Sequence, residues 1–123
     1  MTKAATLHAF FAQFGLNAWP EISVPTGDDA PSFPYLTYEV LTGDELDKVL
    51  VHASLWYRET EWIRINAKTE QISSTIGQAY TMECDDGGLV IRRGTPFAQS
   101  MGDPNDNLIK RKLLNIEIMF CTP

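Results

Sequence analysis

A chain of 123 residues, 44% apolar and 11% aromatic, is long enough to bury a core without metal or disulfide staples and too apolar for disorder. Ten basic against sixteen acidic residues leave a formal charge of −6, which argues against a dedicated nucleic-acid binder, because phosphate contacts need clustered Lys and Arg. The same balance suits a surface that DNA passes without sticking.

Thr2 to Phe14 reads as an amphipathic helix, with Leu7, Phe10, Phe11 and Phe14 on one face and Gly15 as its stop. Asn17 to Pro34 is broken by Pro20, Pro25, Pro31 and Pro34 and reads as a turn-rich connector, with a short strand around Glu21–Val24 at most. Tyr35–Leu41 favours a strand, and Thr42-Gly43-Asp44-Glu45 a turn. Lys48 to Arg58 then alternates: Val49, Val51, Ala53, Leu55 and Tyr57 face one way, while Lys48, His52, Ser54, Trp56 and Arg58 face the other. The two strands are expected to pair antiparallel.

A second helix is expected from Thr60, as N-cap, to Ile76, with Trp62, Ile65, Thr69, Ile72 and Ile76 on one stripe and Gly77 as the stop. Three strands follow: Tyr80–Cys84, a turn at Asp85-Asp86-Gly87-Gly88, Leu89–Arg93, and finally Leu108–Phe120, where Leu114, Ile116, Ile118 and Phe120 alternate with Asn115, Glu117 and Met119. The expected fold is one α+β domain over residues 1–123. It is a mainly antiparallel sheet of about five strands, with both helices packed on one face.

The groups that could carry chemistry do not converge along the chain. Asp44, Glu45 and Asp47 lack a calcium-loop spacing, and Asp85-Asp86 and Asp103/Asp106 read as solvated turns. Cys84 and Cys121 have no CxxC spacing and no ligand spacing with His8 or His52, so they read as small buried apolar residues in a reducing compartment. Gly87-Gly88 lies between strands and opens no helix, which removes a phosphate loop. No cofactor or metal is expected, and neither a signal pattern nor an apolar run of about 20 residues for a membrane span is present.

What remains is a surface question. Between the last two strands, Gly94–Asn107 mixes turn formers with Phe97 and Met101, and reads as an arm that docks on another molecule or folds back on its own core. Trp56 and Arg58 share a strand face and are residue types enriched at interface hot spots. Lys110-Arg111-Lys112 is the basic cluster, with Arg92-Arg93 as a candidate neighbour across a hairpin. The expected contact residues are Trp56, Arg58, Arg93, Phe97, Met101, Lys110 and Lys112.

Three segments together carry a family resemblance: Pro34-Tyr35-Leu36-Thr37-Tyr38, Ala53-Ser54-Leu55-Trp56-Tyr57 leading into the Trp62–Gly77 helix, and Arg93-Gly94-Thr95-Pro96-Phe97-Ala98-Gln99. In order and spacing, from about residue 5 to residue 121, the chain resembles the tail-terminator or tail-completion proteins of long-tailed phages and prophages. The resemblance implies a non-enzymatic α+β protein that forms a homohexameric ring at the head-proximal end of the tail. The ring would cap the tube of major tail subunits and offer a surface to the head–tail connector. DNA would pass through it without sequence-specific binding, with no membrane involved, and assembly would occur in the host bacterial cytoplasm. The family supplies no catalytic residues. A neck or head-closure component is the close alternative. A binding module using Trp56, Tyr57 and Trp62 and a small enzyme using Asp44, Glu45 and Asp47 are the readings from other classes.

Overall fold

The computed structural model describes residues 1–39, 48–85 and 87–121. Helix α1 spans Lys3–Ala12; the Thr2 hydroxyl caps it by accepting the Ala5 N–H at 3.1 Å. Gln13 ends the helix, and Gly15, at φ +81°, turns the chain away. Leu7, Phe10, Phe11 and Phe14 are all buried, as their spacing predicts. Phe10 meets Phe11, Phe14 and Tyr80 through tilted and edge-on ring contacts, and Phe11 stacks on Tyr38 at 4.7 Å.

Among the described residues six strands form one sheet: β1 (Asn17–Pro20), β2 (Tyr35–Tyr38), β3 (Lys48–Arg58), β4 (Tyr80–Cys84), β5 (Gly87–Gly102) and β6 (Ile109–Cys121), in the spatial order β1-β2-β3-β6-β5-β4. Every pairing is antiparallel except β1 with β2. The sheet therefore has one strand more than the sequence predicts. The extra one is β1, at Asn17–Pro20 rather than Glu21–Val24, where Glu21–Ser23 is instead a 3₁₀ turn. Pro20 has no N–H to donate, so it is tolerated at the end of an edge strand and not in a central one.

Helix α2 spans Ile63–Ile76, two residues later than Thr60 as N-cap would give, and Trp62 precedes it with no side-chain cap. Trp62 packs partly buried against the core at this helix start. Ile65, Thr69, Ile72 and Ile76 are buried along the expected stripe, and Gly77 closes the helix at φ +57°.

Both helices lie on the same face of the sheet. Val51, Ala53, Leu55 and Tyr57 of β3, Leu114, Ile116, Ile118 and Phe120 of β6, and Leu89 and Ile91 of β5 join the helix residues in one apolar cluster. Each large side chain removed from water there contributes about 1.5–3 kcal/mol. The architecture is α+β, as composition and periodicity predict.

The main departure from the sequence reading lies at residues 94–107. The expected arm is not a loop: β5 continues through it to Gly102, and the connection to β6 is only Asp103 to Leu108. A bulge between Arg93 and Ala98 absorbs the two breakers. A Cβ at Gly94 would sit 2.8 Å from the Asn115 carbonyl oxygen, so only glycine allows this approach of β5 to β6. Pro96 falls inside the bulge, where no ladder donor is required. Asn115, 8% exposed, repairs the gap: its Nδ2 donates to the Pro96 carbonyl at 2.8 Å and to Gln99 Oε1 at 3.4 Å.

Candidate assembly surface

The two faces of the sheet are chemically distinct. On β3, odd-numbered residues point to the helices and even-numbered ones away; on β6 the relation is reversed, because Leu55 pairs with Lys112 and Trp56 with Arg111. Among the described residues no helix lies on the second face. It carries Tyr35, Thr37, Ser54, Trp56, Arg58, Met101, Arg111 and Leu113 from four adjacent strands.

At the Tyr35 end of this face the side chains form an ordered platform. Phe33 tilts against Tyr35 at 5.3 Å, and Tyr35 stacks on Trp56 at 6.1 Å with an interplanar angle of 16°. The Arg111 guanidinium lies over Trp56 at 4.7 Å. Polar atoms beneath are satisfied: Trp56 Nε1 donates to Thr37 Oγ1 at 2.9 Å, and Arg111 Nε to Ser54 Oγ at 3.0 Å. Thr37 and Ser54 are both buried. The rings are thus held in place before any partner arrives, which lowers the entropy cost of binding. Tyr, Trp and Arg are also the residue types that dominate interface energetics. Met101, 41% exposed and opposite Arg111, extends the platform with an apolar side chain.

Arg58 closes one corner. Its Nε donates to Asp106 Oδ2 at 3.0 Å, while Asp106 Oδ1 accepts the Leu108 N–H at 3.0 Å. The Leu108 hydrogen bond, followed by that from Arg58, holds the Asp106 carboxyl below its ordinary value. Asp103 and Asp106 are thereby turn formers: Asp103 Oδ1 accepts the N–H groups of Asn105 and Asp106.

The seven expected contact residues divide between the faces. Trp56, Arg58 and Met101 share the open face. Arg93 points to the helix side, where it donates to Ser73 Oγ at 3.0 Å, and Phe97 packs partly buried against the core from the bulge. Lys110 and Lys112 also belong to the helix side, their ammonium nitrogens 5.7 and 5.5 Å from the Trp62 ring centre. Lys110 is only 7% exposed and donates to the Asn107 carbonyl; Lys112 donates to Ser100 Oγ, and desolvation lowers its pKa. Arg92 and Arg93 pair with Glu117 and Ile116, so they are not cross-strand neighbours of residues 110–112, whose partners are Ser100, Met101 and Gly102.

The other sequence candidates are separated as well. Tyr57 is buried on the helix side, so Trp56, Tyr57 and Trp62 do not form one surface. Asp44, Glu45 and Asp47 lie outside the described residues. His8 Nδ1 is 2.9 Å from the Tyr38 hydroxyl, and His52 pairs with Glu39 at 2.8 Å; neither is placed against a cysteine by these contacts. Cys84 and Cys121 are half-buried rather than fully buried. They sit opposite Gly87 and Gly88, on strands either side of β5, a lateral separation of about 10 Å that exceeds disulfide reach. Among the described residues no group of three or more His, Cys, Asp or Glu side chains is arranged to hold a metal ion.

Sequence reasoning overlooked Phe33, Tyr35 and Arg111. The signal for Arg111 is in the chain: it shares odd parity with Asn115, Glu117 and Met119, the side opposite Leu114 and Ile116. No protein-family model, curated protein or solved structure matches the chain.

Proposed function

We propose that this chain is a non-enzymatic virion assembly protein of the tail-terminator type. Copies associate into a ring, with a hexamer as the expected size, that caps the tail tube and joins it to the head connector. One observation carries the reading: the open sheet face bears a prearranged aromatic–arginine platform, Tyr35–Trp56–Arg111, with apolar Met101 beside it. Within one subunit these half-exposed side chains add only modest stability, whereas a partner that docks on rings and a guanidinium already held in place gains affinity. The internal pairing of His8, His52, Arg58 and Asp106 supports the same reading, since these groups serve the fold.

A ring needs contacts in which one face of a subunit meets a different face of the next. The charge of −6 fits a channel through which DNA slides, because a net negative subunit repels phosphates rather than holding them. In the proposed role the protein belongs to the head-proximal end of the tail, with the major tail subunit and the connector as partners.

The test is tube capping. Purified protein is added to the major tail subunit encoded beside it, and tube ends and lengths are read by electron microscopy, with mass measurement of the protein alone. Capped tubes of arrested length support the terminator role. Binding to connectors but not to tubes would assign a neck component instead, and a protein that caps neither would end the reading.

A further inference from the structure

The open-face platform has a complement elsewhere on the same molecule. After β1, the 3₁₀ turns Glu21–Ser23 and Gly27–Asp29 form a lobe whose Ile22 is 86% exposed, the most exposed of the large apolar side chains described. Three exposed carboxylates, Glu21, Asp28 and Asp29, share the lobe, and none is in an ion pair among the described residues. A single exposed isoleucine is ordinary. An isoleucine on an acidic lobe stiffened by Pro20 and Pro25 is a shaped knob.

Within the subunit the ring, hydrogen-bond and cation partners of Tyr35, Trp56 and Arg111 are Phe33, Thr37, Ser54 and one another, and none of these lies in the lobe. Pro20 pairs with Tyr38 at one end of the β1–β2 register, while the platform begins at Tyr35, about 10 Å away along the strand. Ser23, at the end of the first of these turns, lines a hollow together with Ala4, His8 and Ala12 of α1. Platform and knob are therefore separate surfaces of the subunit.

We propose that the acidic Ile22 lobe of one copy docks on the Tyr35–Trp56–Arg111 platform of the next, and that this head-to-tail contact builds the ring. The inference rests on the assembly reading above and specifies its contact. Charge selects this arrangement. Arg111 has no carboxylate partner among the described residues, its contacts being the Trp56 ring and Ser54 Oγ. Stacking two open faces about a two-fold axis through the platform would set Arg111 against Arg111, a like-charge apposition that costs affinity. The knob instead brings unpaired carboxylates to an unpaired guanidinium and an apolar side chain to aromatic rings. Contacts between unlike surfaces build rings when the rotation from one copy to the next closes, whereas like-with-like contacts stop at dimers.

The experiment uses the full chain and two variants, Ile22→Asp and Arg111→Glu, with mass read by sedimentation or mass photometry and folding checked by circular dichroism. Wild type is expected to form a ring. Each variant alone is expected to be monomeric, with association weakened roughly 30-fold or more, as for loss of a hot spot. Mixed together, the variants are expected to give a heterodimer and nothing larger: Ile22→Asp still offers a platform, and Arg111→Glu still offers a knob. If Ile22→Asp assembles like wild type, the contact is wrong while the ring survives. If wild type is itself monomeric, both alone and on tail tubes, the ring reading falls and the contact with it. A mixture that stays monomeric also overturns the contact, and an Arg111→Glu that fails to fold is replaced by Arg111→Gln, with the same outcomes required.

Discussion

Gly94 shows how one residue sets the course of two strands. The Cβ it lacks would press on the carbonyl oxygen, Cβ and carbonyl carbon of Asn115 at 2.8–3.0 Å, and the carbonyl group belongs to backbone that cannot step aside. Gly94→Ala is therefore expected to lower stability by about 1–3 kcal/mol, the range for overpacking, as read from denaturant midpoints. Gly102→Ala is the control: no atom lies within 4 Å of its added Cβ, and the change should be near neutral. Asp106 makes a second case. Its carboxyl is held below the ordinary value of 3.8, so its charged form stabilises the fold above that pH, and the contribution is lost as pH falls through the lowered value. Asp106→Asn should accordingly be less stable than wild type near neutrality, with the gap closing under acid conditions; urea midpoints against pH below about 5 would show the two curves converge. If the gap stays constant, the Arg58 and Leu108 bonds are not what holds the tip. At this scale the sequence was partly legible. Two-residue alternation separates Arg111 from Lys110 and Lys112, yet a run of three basic residues invites reading them as one patch. The lysines sit on the helix side over Trp62, and the arginine alone reaches the open face.

Elements with strong local periodicity form as the chain predicts. The Leu7-Phe10-Phe11-Phe14 spacing gives α1, and the Ile65-Thr69-Ile72-Ile76 stripe gives most of α2. β3 matches the predicted residues from end to end, because its alternation is unbroken. Where local sequence misleads, a distant partner decides. Gly94 and Pro96 look like strand breakers, but Asn115, some 19 residues beyond Pro96, bridges the gap and lets β5 run on; no local window contains that information. β1 is similar: its four residues become a strand because β2 lies beside them, and nothing in Asn17–Pro20 announces it. The packing of α1 against the sheet gives a direct test of element energetics. Phe10 is fully buried and touches three aromatic rings, so Phe10→Ala should cost about 3–5 kcal/mol in unfolding free energy. Thr2→Ala, which removes only the cap, should cost about 1 kcal/mol. Equal losses for the two would mean that α1 is held by its cap and not by its apolar face.

At the scale of the whole molecule, the asymmetry of the sheet is the feature that needs a use. Among the described residues, one face is sealed by two helices and nineteen buried apolar side chains; the other presents a stacked ring system backed by buried Thr37 and Ser54. Burial on the first face accounts for folding, so a side chain of the second face can be changed with less damage to the core. This separates association from stability. Anything that binds the folded state raises its apparent stability by mass action, so the melting midpoint of an associating protein climbs with its concentration. Wild type should show that climb over two decades of protein concentration, and Trp56→Ala should show little of it. At the lowest concentration the two should differ by what Trp56 contributes within its own subunit, namely the stacking on Tyr35, the Arg111 guanidinium over its ring and the hydrogen bond to Thr37, on the order of 2–3 kcal/mol together. High salt should flatten the wild-type climb as well, because the Arg111 charge is near the surface and screened within about 10 Å at 0.1 M. A wild-type midpoint that is independent of concentration would leave the open face without the role that its ordered side chains suggest. A Trp56→Ala midpoint that still climbs would place the assembly contact on another surface.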